Sequence, residues 1–122
     1  MFRLPFLLFT LLILTACSPH PTAGGWIAII DDAAFERLEI RYNGRADLYT
    51  LKGDSSAAWR CFWAAKDETT AQMKCVEASN ADNEQIYWFR ADKASKEGSL
   101  TFGEQLLGRY SWQPPTDPPE EE

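Results

Sequence analysis

The chain has 122 residues, 45% of them apolar, with 12 Lys and Arg against 18 Asp and Glu. That length allows one small domain with a real core. All five Trp and all four Tyr lie beyond residue 25, an aromatic content that a disordered chain lacks. The acidic balance opposes binding to nucleic acid, and a cationic protein partner is compatible with it.

The N-terminus reads as a leader. Arg3 supplies a short positive region, and residues 4–16 are apolar apart from Pro5, Thr10 and Thr15. Thirteen helical residues span roughly 20 Å, short of the roughly 30 Å hydrocarbon core, so the stretch fits a signal-peptide h-region and not a membrane span. Leu14-Thr15-Ala16-Cys17 then follows, an apolar residue, two small residues and a thiol. This resembles the lipobox of bacterial lipoproteins. The resemblance implies cleavage before Cys17, a diacylglyceryl thioether on its sulfur and a further acyl chain, such as palmitate, on its amine. Three chains exceed what stable anchoring needs. Ser18, in place of the aspartate that retains such proteins at the inner membrane, implies the periplasmic face of the outer membrane. Without residues 1–16 the chain carries 11 Lys and Arg against 18 Asp and Glu, a formal charge of −7.

Residues 17–25 contain two prolines, two glycines and the chain's one histidine, His20, and read as a lipidated N-terminus and flexible tether. A lone histidine with no nearby acid suggests neither metal binding nor catalysis.

From residue 26 to 113, short apolar-aromatic runs alternate with polar turns every eight to twelve residues or so, the pattern of an antiparallel barrel or sandwich. Eight strands are expected at 26–30, 35–42, 46–52, 57–66, 70–78, 85–91, 99–102 and 108–113, with a helical turn possible over 31–36. Asn43-Gly44 suits a two-residue type I′ hairpin. That turn would pair Tyr42 with Arg45 and Leu38 with Tyr49, placing Leu38, Ile40, Tyr42, Tyr49 and Leu51 on one face. Gly25-Trp26 opening a set of eight strands resembles the lipocalin-like barrels in architecture, although the Gly-x-Trp signature of that family is not met.

Cys61 and Cys75 form an even pair in an exported chain, the signature of a disulfide. A three-residue loop at Asp67-Glu68-Thr69 sets Lys66 against Thr70 and therefore Cys61 against Cys75, with Trp59, Trp63 and Met73 on the same face. Residues 114–122 contain four prolines and end in Glu120-Glu121-Glu122, which reads as a disordered acidic tail.

No phosphate loop, nucleophile pair or metal set is present, so neither cofactor nor catalytic residue is assigned. The acids Asp31, Asp32, Glu36 and Glu39 are close in sequence but read as a solvated turn. Tyr87-Trp88-Phe89 places rings on both faces of one strand, and Phe62 faces away from Trp59 and Trp63. Phe62 and Trp88 are therefore the expected centre of an interaction surface, if the outer face is not itself covered. The expected role is a non-enzymatic binding module on a lipid leash, for example an inhibitor of a cationic hydrolase such as lysozyme. The Ser-Gly-x-x-Tyr motif of one inhibitor family is absent. The alternative is carriage of a small apolar ligand in a cavity lined by Leu38, Tyr49, Trp59 or Met73.

Overall fold

A computed structural model describes residues 20–114. The expected leader at 1–16, the expected lipidation site Cys17 and the expected acidic tail from 115 onward lie outside the described residues. Eight antiparallel strands follow one another around a closed barrel: β1 (Gly24–Ala28), β2 (Arg37–Ile40), β3 (Arg45–Tyr49), β4 (Trp59–Ala65), β5 (Thr70–Glu77), β6 (Asn80–Asp92), β7 (Glu97–Phe102) and β8 (Gln105–Gln113). Closure comes from β1 pairing with β8, Trp26 opposite Trp112 and Ala28 opposite Tyr110. Around the barrel each described strand has a neighbour on both sides, although the first half of β6, before Trp88, pairs with β5 alone.

Side chains fill the barrel by alternating large and small residues. Trp26, Leu38, Ile40, Leu48, Met73, Phe89, Leu100 and Tyr110 are fully buried, interleaved with Ala46, Ala71 and Ala91. Trp26 on β1 and Phe89 on β6 meet edge to face at 4.7 Å across the interior, and Phe89 lies 6.1 Å from Tyr110 on β8. Two glycines make room for these rings. A Cβ on Gly98 would sit 2.3 Å from Phe89 Cζ, and one on Gly108 would sit 2.5 Å from the Tyr110 hydroxyl oxygen.

The β4–β5 hairpin has the expected register. Cys61 faces Cys75 directly and is joined to it by a disulfide, with Trp63 opposite Met73. Asp67 closes the turn by accepting the Thr69 amide at 2.9 Å, and Lys66 donates its amide to the Thr70 carbonyl at 2.9 Å. The Thr69 amide is also the main reason the Asp67 carboxyl is held below its ordinary range.

The β2–β3 hairpin differs from expectation by one residue. Leu38 faces Leu48 and Ile40 faces Ala46, because the loop holds three residues, Tyr42, Asn43 and Gly44. Among them only Gly44 adopts positive φ, at 88°, so Asn43 avoids the left-handed conformation that a two-residue type I′ turn demands. The one-residue slip reverses the inward set of β3. Ala46 and Leu48 turn into the barrel, while Tyr49 turns to the outer face and is still buried there, and Tyr42 and Leu51 are exposed. Tyr49 packs on the outer wall, with the Arg37 guanidinium 3.6 Å from its ring centroid. Residues 31–36 form turns with no helix, pinned by the Ala34 amide to the Leu107 carbonyl at 2.8 Å.

The N-terminal segment is also more ordered than its composition suggests. β1 begins at Gly24, and Thr22 and Ala23, read as tether, are buried. Trp26 Nε1 donates to the Thr22 carbonyl at 2.9 Å, and His20 Nε2 donates to the Asp67 carbonyl at 2.7 Å. Residues 20–23 thus close one end of the barrel. Their anchors lie on β1 and the β4–β5 turn, and the indole and histidine donors override the local proline and glycine content.

Replacing both cysteines by alanine (C61A/C75A) should lower stability by about 3 kcal/mol, the loop-closure entropy expected for a loop of this length. Urea unfolding with and without reductant measures the difference. Gly98→Ala should cost about 1–3 kcal/mol by overpacking against Phe89. Gly53→Ala, with open space around the new Cβ, should change stability by no more than about 0.5 kcal/mol.

Candidate functional site

In an up-and-down barrel alternate connections gather at the same end. The N-terminal segment, the loops at 41–44, 66–69 and 93–96, and the end of β8 share the entry end. Connections 29–36, 50–58, 78–79 and 103–104 share the far end.

The far end is strongly acidic. Asp31, Asp32 and Glu36 lie on its first loop, Asp54 on the second, Glu77, Asp82 and Glu84 on the β5–β6 hairpin, and Glu104 in the last turn. Against these eight carboxylates stand three cations, Arg37, Lys52 and Arg60, the last opposite Val76 in the same rank as Glu84. Arg37 is already committed: it pairs with Glu39 and donates to the carbonyls of Lys52, at 3.0 Å, and Asp54, at 2.7 Å, tying the second loop to the wall. At the entry end Arg41, Arg45, Lys66, Arg90, Lys93 and Lys96 outnumber Asp67, Glu68, Asp92 and Glu97.

Under the acidic rim lies an aromatic floor. The Tyr87 ring is 5.7 Å from Trp59, 6.0 Å from Phe35 and 5.6 Å from Phe102. Phe35 and Tyr87 are buried, Trp59 is half-buried and Phe102 is 40% exposed, so the cluster opens outward. Burial, reinforced by the Glu77 charge, raises the pKa of the Tyr87 phenol. Asn83 donates to Glu77 at 3.0 Å and holds that carboxylate beside the cluster. Deeper in, the Tyr110 hydroxyl donates to the Phe35 carbonyl at 2.6 Å, which fixes the first loop over the barrel, and burial pushes its pKa well up. Ile29, Leu51 and Leu106 are exposed around the same end. Solvated acids beside exposed apolar groups form a surface that can hold a cationic, partly apolar partner.

Both members of the expected wall surface point outward but are not neighbours. Phe62 lies opposite Lys74, which lies opposite Ile86, whereas Trp88 lies opposite Gln72 and Thr101. Strand β5 runs between them and puts a lysine and a glutamine in the gap. Phe62 is 66% exposed with the Arg45 guanidinium 5.2 Å from its ring centroid, while Trp88 is only partly exposed. Among the expected carboxylates, Asp31, Asp32 and Glu36 do share the far end. Glu39 lies on the wall, paired with Arg37 and Arg41. Among the described residues no group of three or more His, Cys, Asp or Glu is placed to hold a metal ion.

Near the entry end a shallow groove of about 620 Å³ runs beside the β6–β7 turn, with Arg90, Lys93 and Arg109 among its lining residues together with Asp92 and Glu97. Arg109 pairs with Glu97 at 3.2 Å. Mixed charge distinguishes this groove from the far end.

Comparison with protein-family models, curated proteins and solved structures finds no match to this chain.

Tyr49, Tyr87 and Tyr110 all have raised pKa values, mainly through burial. The unfolded chain ionises its phenols from about pH 10, so the neutral phenols stabilise the fold below that pH, and stability should fall as pH rises past it. Tyr110→Phe should make that alkaline loss shallower. At neutral pH the same substitution should cost about 1–3 kcal/mol by leaving the Phe35 carbonyl unsatisfied. Thermal unfolding from pH 7 to 11 tests both effects.

Proposed function

We propose that this chain is a lipid-anchored interaction module of the bacterial envelope, held at the outer membrane through Cys17 and presenting its acidic far end to a cationic protein in the periplasm. In its specific form the partner is a cationic hydrolase such as lysozyme, and the activity is binding and not turnover. The observation that carries this reading is the far end itself, eight carboxylates against three cations around exposed Ile29, Leu51, Phe102 and Leu106.

Two further features support it. Leu14-Thr15-Ala16-Cys17 has the residues of a lipobox. The Cys61–Cys75 disulfide belongs to an oxidising compartment and would be reduced in the cytosol of most bacteria. Carriage of a ligand inside the barrel is less well supported. The proposed lining residues Leu38 and Met73 are fully buried in a packed core, Tyr49 lies on the outer wall, and Trp26 and Phe89 meet across the lumen. A partner is better served by the surface.

Cys17→Ser should abolish fatty-acid labelling and move the protein from the membrane to the soluble fraction; persistence of label would remove the anchor from the proposal. For the far end, the soluble form lacking residues 1–17 is titrated with lysozyme and with a neutral control protein. Affinity for lysozyme should fall steadily with added salt, and reversing Asp31, Asp32 and Glu36 to lysine should weaken it at least about tenfold. No binding, or binding indifferent to salt and to the reversal, would overturn this assignment.

A further inference from the structure

We infer that the anchored barrel stands end-on upon the bilayer, with Tyr42, Trp63 and Trp112 and the lysines of the entry end against the lipid headgroups and the acidic far end turned to the aqueous phase. The inference rests on lipidation at Cys17 and adds to it a defined orientation and a second membrane contact, made by the folded domain itself.

The leash is short. Cys17 is three residues from His20, and three residues span at most about 11 Å. His20 is fastened to the barrel through Asp67 at 2.7 Å and Thr22 at 2.8 Å, and Thr22 is itself fully buried. The lipid therefore attaches to the entry end by a connection much shorter than the barrel. The 13 residues of β6 alone extend roughly 40 Å. A domain held so closely by one end cannot turn its opposite end to the membrane without first releasing His20 and Thr22.

The surface so placed has the chemistry of a membrane contact. Tyr42 is 67% exposed in the 41–44 loop. Trp63 is half-buried, its Nε1 donating to the Arg41 carbonyl at 2.7 Å and its ring 5.8 Å from His20. Trp112 is likewise half-buried, with the Lys96 ammonium 5.3 Å from its ring centroid. Amphipathic Tyr and Trp rings beside lysine are the side chains that settle at a membrane–water interface. Charge acts in the same direction, since the far end carries an excess of carboxylates that an anionic lipid surface repels, whereas cations are in slight excess on the folded entry end. The acids at 117 and 120–122 follow Pro114 and also depart from the entry end, but eight residues reach up to about 27 Å, enough to leave the headgroup plane.

The test uses the full-length lipidated protein in phosphatidylethanolamine–phosphatidylglycerol vesicles, with a fluorophore on a single introduced cysteine. Ala94→Cys marks the entry end and Ser79→Cys the tip of the β5–β6 hairpin; both positions are exposed. Lipids carrying a headgroup spin label should quench the fluorophore at position 94 at least about threefold more than at 79, while iodide in the water should quench 79 more. Equal or reversed quenching in protein that floats with the vesicles overturns the orientation and leaves the anchor standing. Failure to float, with no acyl mass on the Cys17 peptide, removes the anchor and the orientation together.

Discussion

Trp26 is the wedge on which the closed barrel depends. It comes from the first strand, pairs across the closing seam with Trp112 of the last, and crosses the interior to Phe89 of the sixth. Its indole nitrogen also fixes Thr22 beneath it. One side chain therefore links seam, core and end plug. Phe89, and Tyr110 beyond it, fit only because Gly98 and Gly108 present no Cβ to these rings. A solid interior of this kind leaves recognition to the ends and the outer wall.

The two ends are unlike for a topological reason. Alternate connections in an up-and-down barrel fall at opposite ends, and the acids are concentrated at the end shared by the first, third, fifth and seventh. The chain enters at the other end and is fixed there by His20 and Thr22. An attachment near residue 17 therefore sits at the opposite pole from the acidic rim. Anchor and recognition surface in the proposed function do not compete for the same face.

Much of the architecture was legible because the local signals agreed. Strand spacing yields eight strands, and the three-residue turn at Asp67-Glu68-Thr69 sets the register that brings Cys61 to Cys75. At Asn43-Gly44 the preferred turn pair misled by one residue. Inward packing of Ala46 and Leu48 in place of Tyr49 won over the turn preference, since a slip in register exchanges a whole strand face. The ordering of residues 20–23 was hidden because its partners, Asp67 and Trp112, are 47 and 89 residues distant from the groups they meet. The acidic pole had a signal, the parity of the connections, readable only once the strand count and closure are fixed. Phe62 and Trp88 were rightly placed on the outside, but their separation by Lys74 and Gln72 depends on β5 lying between them.

The sequence by itself determined the strand alternation, the outward direction of Phe62 and Trp88 and the opposition of the two core cysteines. Each of these follows from period-two geometry and from contacts within one hairpin. Tertiary structure alone decided that the sheet closes into a barrel, that aromatic rings fill it, and that carboxylates from three connections and from the β5–β6 hairpin strands meet at one pole. Those features arise from groups far apart in the chain, which closure of β1 upon β8 brings together.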